Sequence, residues 1–110
     1  MNLDSSTFET LAGSTLEAFM EAIDGTLGEQ LDVDLEQGIL TIELAGGGQY
    51  VLNKHAPSQQ IWMSSPVSGA THFDYREQGG GWVSSRGDEL LAPMLSGELE
   101  QATGIRVSLG

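Results

Sequence analysis

The sequence predicts an α+β fold: a two-layer sandwich whose six-stranded antiparallel sheet carries the N- and C-terminal helices on one face. Three observations predict it. Apolar residues follow a helical period near the start of the chain, a period of two through the middle, and a helical period again near the end. Two helices can cover one face of such a sheet, so the other face is expected to meet water.

Length and composition narrow the classes of function. The 110 residues are expected to form one domain, 1–110, in which 39% apolar residues suffice for one core. The absence of cysteine excludes disulfides and thiolate chemistry. The net charge of −12 excludes nucleic acid and anionic membrane surfaces as partners, and no apolar run approaches the roughly 18 residues of a membrane span. This charge favours metal cations and basic protein patches.

The first helix is predicted to begin at Ser6, because Ser6-Thr7-Phe8-Glu9 matches a capping box with Ser6 as the N-cap. Gly25 and Gly28 are its candidate stops. Its apolar stripe consists of Phe8, Leu11, Ala12, Leu16, Phe19, Met20, Ile23 and Leu27.

Six short strands follow, because apolar and polar residues alternate between closely spaced turn signals. This pattern is typical of an antiparallel meander. His55 precedes the third turn and is expected to be an exposed loop residue. The predicted turns are Gln37-Gly38, Gly46-Gly47-Gly48, Ala56-Pro57-Ser58, Pro66 to Gly69, and Gly79-Gly80-Gly81.

The second helix is predicted within residues 88–103. Proline is tolerated only in the first turn, so Pro93 places the start of the regular helix near Leu91 or Ala92. Gly104 is a suitable C-cap. The apolar residues that follow, Ile105, Val107 and Leu109, are expected to pack onto the core.

The alternation makes a specific prediction for one tryptophan. If Ile61 and Met63 point toward the helices, Trp62 points toward solvent, and Asn53, Gln60 and His72 fall on the same outward set. An outward tryptophan among polar residues is typical of a protein interface. The alternative is a slipped register that places Trp62 in the core. Trp82 is interpreted as a core residue.

Acidic residues dominate the first half of the chain, where every charge before Lys54 is negative. Carboxylates are hard oxygen ligands that suit iron, manganese, calcium and magnesium. Asp32 and Asp34 point to the same side of one strand, about 6.6 Å apart, which lets each hold a separate hydrated cation or both share one through water, but does not make a preformed cage. We therefore expect weak, multiple and mostly water-mediated metal binding.

The segment Asn53-Lys54-His55-Ala56-Pro57-Ser58-Gln59-Gln60-Ile61-Trp62-Met63-Ser64-Ser65-Pro66 resembles the central motif of the frataxin family, including its bacterial CyaY-like members. His72-Phe73-Asp74-Tyr75 and Gly81-Trp82-Val83 match the strands that follow. The resemblance extends over nearly the whole chain.

Membership of this family would imply a role in iron–sulfur cluster assembly, with Fe²⁺ or Fe³⁺ bound weakly on an acidic ridge. It would also imply docking on a cysteine desulfurase and on the iron–sulfur scaffold protein. The ridge residues that match are Glu17, Glu21, Asp24, Glu29, Asp32 and Asp34. The matching sheet contact consists of Asn53, Gln60 and Trp62, with His72 beside them.

Several alternatives stay open. The chain could be an iron-binding regulator or iron donor, a metal-independent acidic adaptor of the desulfurase, or an iron-storing oligomer that detoxifies iron. A monomer is expected, with metal-driven assembly as the alternative. His72 could be a metal ligand rather than a hydrogen-bonding interface residue.

Catalysis is not expected, because no nucleophile–base motif is present, and the ferroxidase activity claimed for some relatives stays open. The start of the chain lacks a signal or transit pattern. It therefore predicts a bacterial cytoplasmic protein, with the mitochondrial matrix after processing as the alternative.

Overall fold

The computed structural model describes residues 4–78 and 81–109. Two α-helices flank six strands along the chain, and a short 3₁₀ helix at Ala56–Ser58 separates the third and fourth strands. The elements are α1 Ser5–Leu27, β1 Leu31–Glu36, β2 Ile39–Leu44, β3 Gln49–His55, β4 Gln60–Ser65, β5 Gly69–Arg76, β6 Gly81–Ser84 and α2 Leu91–Thr103.

The strands form one antiparallel sheet in chain order, β1-β2-β3-β4-β5-β6. The predicted meander is therefore confirmed. Gln37 and Gly38 have φ angles of 53° and 78°. Positive φ at both central residues is the geometry of a type I′ hairpin turn, which matches the twist of the strands it joins. This tight turn sets the β1–β2 register, in which Glu36 pairs with Ile39.

Both helices pack on the same face of the sheet, which we call the inner face. One hydrophobic core joins Leu16 of α1 and Leu95 of α2 to inner-face residues such as Leu52 and Phe73. The two-layer α+β prediction is confirmed. The opposite face, which we call the outer face, carries no helix among the described residues.

Trp82 belongs to the core, as predicted, and is only 6% exposed. Its Nε1 donates a hydrogen bond of 3.0 Å to Oγ1 of Thr15 on α1. Its ring makes edge contacts with Phe8 and Tyr75. The hydrogen bond satisfies the polar end of a side chain that is otherwise buried among apolar groups.

The predicted ends of α1 were partly wrong. The N-cap is Asp4, whose Oδ1 accepts a hydrogen bond from the backbone N–H of Thr7 at 2.8 Å, whereas Ser6 lies inside the helix. Asp is as good an N-cap as Ser, so Asp4, Ser5 and Ser6 were all suitable, and the first of the three caps the helix. Glu9 pairs with Lys54 instead of closing a capping box. The helix passes through Gly25 and ends at Leu27, with Gly28 as the C-cap.

The α2 prediction was right in its main features. The helix starts at Leu91, with Pro93 in its first turn, and ends at Thr103, with Gly104 as the C-cap at a left-handed φ of 77°. Val107 and Leu109 are buried against the core. No helix within the described residues is both long and apolar enough to cross a membrane. Gly79 and Gly80 of the fifth predicted turn lie outside the described residues.

Candidate functional site: the outer face of the sheet

Trp62 lies on the outer face, as the alternation predicted. Its neighbours Ile61 and Met63 are 0% and 1% exposed on the inner face, while Trp62 itself is partly buried on the other side. Antiparallel pairing places Trp62 directly opposite Asn53 of β3 on one side and His72 of β5 on the other. The alternative register, with Trp62 in the core, is excluded. The structure thus brings the predicted sheet-contact residues together.

The indole of Trp62 is enclosed by polar groups of the sheet. The His55 ring lies 3.7 Å from it, centroid to centroid, at an interplanar angle of 11°, and the His72 ring lies 4.1 Å away at 7°. The indole Nε1 donates to Oε1 of Gln60 at 2.8 Å, and Nε2 of Gln60 donates to Oδ1 of Asp74 at 3.0 Å. Gln60, predicted as a contact residue, therefore also orients the tryptophan.

His55 is a site residue that the sequence interpretation missed. It is the last residue of β3, partly buried, and not an exposed loop residue as predicted. Its Nδ1 shares a hydrogen bond of 2.8 Å with Oγ of Ser58 in the 3₁₀ helix. The signal was present in the sequence, because extending the alternation of Val51 and Asn53 by one step places His55 on the same face.

The six predicted ridge acids are all exposed, but they are divided between the helix layer and the sheet, with Glu29 in the turn that joins α1 to β1. Asp32 and Asp34 face outward from β1, an edge strand of the sheet. The acids of α1 belong to the helix layer, which packs against the inner side of the same edge. Within the described residues, no three His, Asp or Glu side chains come close enough to hold one metal ion. Exposed carboxylates of this kind suit hydrated cations held through water.

Glu43 is an outer-face acid outside the predicted ridge. The β1–β2 register places it directly opposite Asp32. Like charges at directly opposite positions destabilise a strand pair, and a bound cation would relieve that repulsion. The two-residue turn at Gln37-Gly38 contained this information, because it sets the pairing of every residue in the hairpin. Ile39, 41% exposed, lies on the same face opposite Asn53.

The basic side chains of the described residues do not neutralise the ridge acids by ion pairing. Lys54 points to the inner side of β3 and its Nζ forms an ion pair of 2.5 Å with Glu9 of α1. Arg106 pairs with Glu100 near the C-terminal end of α2. Within residues 4–78 and 81–109, no base forms an ion pair with any of the six ridge acids. The negative potential of the β1 edge is therefore open to external cations or to a basic partner.

Comparison with known proteins shows the family of this chain. The family model described as the frataxin-like domain matches residues 1–105. The chain belongs to the frataxin family. It is 36% identical to the iron-sulfur cluster assembly protein CyaY of Pseudomonas fluorescens, over 94% of this chain and 93% of that protein. It is 37% identical to mitochondrial frataxin of Arabidopsis thaliana over 97% of this chain, which spans 59% of that protein's length.

Solved frataxin structures share the fold. Frataxin from Psychromonas ingrahamii superposes with a TM-score of 0.86 over 98% of this chain and 99% of that one, at 23% sequence identity. A trimeric frataxin from Saccharomyces cerevisiae, complexed with ferrous iron, superposes with a TM-score of 0.63. It is 34% identical over 94% of this chain and 88% of that chain.

Proposed function

We propose that this frataxin-family protein acts in iron–sulfur cluster assembly. It docks through the outer face, centred on Trp62, on a complex of cysteine desulfurase and scaffold protein. It binds iron weakly on the carboxylates of α1, of β1 and of the turn between them, and regulates the complex or supplies iron to it. In this proposal the protein catalyses no reaction itself.

One observation carries this proposal: an outward tryptophan is held in a polar cluster on a sheet face that no described helix covers. Large aromatic side chains at the centre of an interface provide most of its binding energy. The uncompensated acids of β1 lie on the same face as Trp62, so a partner that contacts the indole and carries a basic patch would meet both.

The first test measures docking on the purified desulfurase–scaffold complex. Trp62→Ala is expected to weaken binding about 10- to 100-fold, because it removes the anchor side chain. Val67→Ala is the control, since Val67 is an exposed apolar residue in the turn after β4, outside the sheet face. Biolayer interferometry gives the affinities, and circular dichroism establishes that the variants fold. Equal binding by Trp62→Ala and wild type would refute docking through this face.

The second test measures iron binding under anaerobic conditions. Replacing Asp32 and Asp34 together by Asn is expected to remove part of the Fe²⁺ uptake, because it deletes two exposed oxygen ligands of one strand. The control is Glu77→Gln with Asp88→Asn, which removes the same charge from exposed positions outside the ridge. Isothermal titration should show several weak events in the wild type. One saturable nanomolar site, or equal losses in both double variants, would contradict the proposal.

The separation of the ridge acids into two layers favours a second candidate function. In this alternative the acids bind a basic patch of the desulfurase directly, and metal binding is incidental. Docking would then weaken steeply with salt and be the same with and without Fe²⁺. An affinity that rises when Fe²⁺ is added would instead support the iron-dependent role. Both measurements use the docking assay with the wild-type protein.

A further inference from the structure

Both faces of the Trp62 indole are covered by the protein's own imidazoles. The strands β3 and β5 flank β4, so His55 and His72 approach the indole from opposite sides. The three rings are nearly parallel, with interplanar angles of 11° and 7° and stacking distances of 3.7 and 4.1 Å. A partner residue has no free indole face on which to stack.

The other groups of this cluster are also engaged. The indole N–H is bound to Gln60, which is bound in turn to Asp74. His55 is itself held through Nδ1 by Ser58, which belongs to the 3₁₀ helix. The tryptophan is therefore restrained by rings on two sides and by a hydrogen bond at its edge. Little side-chain freedom is left for it to lose on binding.

We propose that His55 is a positioning residue for docking. His55 and His72 clamp Trp62 in one orientation, so that the partner meets the edge of an indole that is already ordered. This inference rests on the proposed function, in which Trp62 is the docking anchor. Ordering a mobile side chain on association costs affinity, and restraint in the free protein removes that cost. Loss of one side of the clamp should therefore weaken docking about 2- to 10-fold.

The test compares His55→Ala, which removes the ring, with His55→Phe, which keeps a stacked ring but not the bond to Ser58. Two-dimensional ¹⁵N NMR of the free protein reports the indole N–H signals of both tryptophans. Trp82 is the internal reference, because its N–H is bound to Thr15 in the core. In His55→Ala the Trp62 signal should shift and broaden while the Trp82 signal stays in place. In His55→Phe the Trp62 signal should stay sharp.

Docking of the same variants on the desulfurase–scaffold complex completes the test. We expect His55→Ala to bind about 2- to 10-fold more weakly and His55→Phe to bind within about 2-fold of wild type. An unchanged Trp62 signal and unchanged docking in His55→Ala would overturn the inference. If Trp62→Ala weakens docking and His55→Ala does not, only this inference fails. If Trp62→Ala has no effect on docking, the proposed function fails, whereas the NMR comparison still tests the clamp.

Discussion

At the scale of single residues, the two tryptophans differ in environment because of their place in the alternation. Trp82 shares the inner face with Tyr75 and is buried under α1, where one hydroxyl satisfies its N–H. Trp62 comes directly after the buried Ile61 and therefore lies on the outer face, where side chains of the sheet itself enclose it. The sequence predicted both orientations. It did not predict the stacking, which depends on three strands lying side by side.

Tyr50 gives a prediction at this scale. The side chain of Tyr50 is 0% exposed, and its hydroxyl donates a hydrogen bond of 2.9 Å to Glu98. Burial and this hydrogen bond raise the pKa of Tyr50 from 10.0 to about 12. The folded state thus holds this proton more tightly than the unfolded chain does. The resulting stabilisation is complete below pH 10 and is lost as the pH rises through about 12.

We therefore expect the free energy of unfolding to fall as the pH rises from 10 to about 12. It should fall less in Tyr50→Phe, because that variant has no phenol at this position to ionise. Urea denaturation at several alkaline pH values measures both proteins. If the free energy of unfolding fell with pH equally in wild type and in Tyr50→Phe, a group other than Tyr50 would be the cause of the lost stability.

At the scale of secondary structure elements, α2 is held to the sheet by one carboxylate that the sequence interpretation did not single out. Glu98 accepts hydrogen bonds from Tyr50 of β3, at 2.9 Å, and from Ser65 of β4, at 2.6 Å. Its second oxygen accepts from Ser68 in the following turn at 2.8 Å. The helical period places Glu98 near the inner side, but only the packed structure shows which hydroxyls it meets.

Two glycines of α2 should respond in opposite directions to alanine. Gly97 lies inside the helix, and a Cβ there would meet nothing within 4 Å, so Gly97→Ala should stabilise the protein by about 0.5–1 kcal/mol. Gly104 caps the helix at a φ of 77°, so Gly104→Ala should cost about 1–2 kcal/mol. Chemical denaturation of the two variants beside wild type provides the comparison. If both variants changed the free energy of unfolding in the same direction, the end of the helix would not be as described.

At the scale of the whole molecule, charge is the dominant feature. Self-repulsion at a net charge of −12 destabilises the compact state, and the directly opposed Asp32 and Glu43 add a local contribution. We expect the thermal midpoint to rise as salt increases from about 0.01 M to about 0.15 M.

Differential scanning calorimetry should show a smaller rise in Glu43→Gln than in Glu77→Gln, since Glu77 lies in the turn after β5. A midpoint that does not depend on salt, or that falls, would contradict this expectation.

The sequence alone determined the two-layer fold, the order of its elements and the outward side of Trp62. All three follow from local periodicity and turn chemistry, which act between near neighbours in the chain. Only the tertiary structure decided the capping of α1 by Asp4, the stacking of the His55 ring on the indole and the spread of the acids over two layers. These depend on competition between similar residues or on contacts between distant segments, and no periodic pattern encodes them.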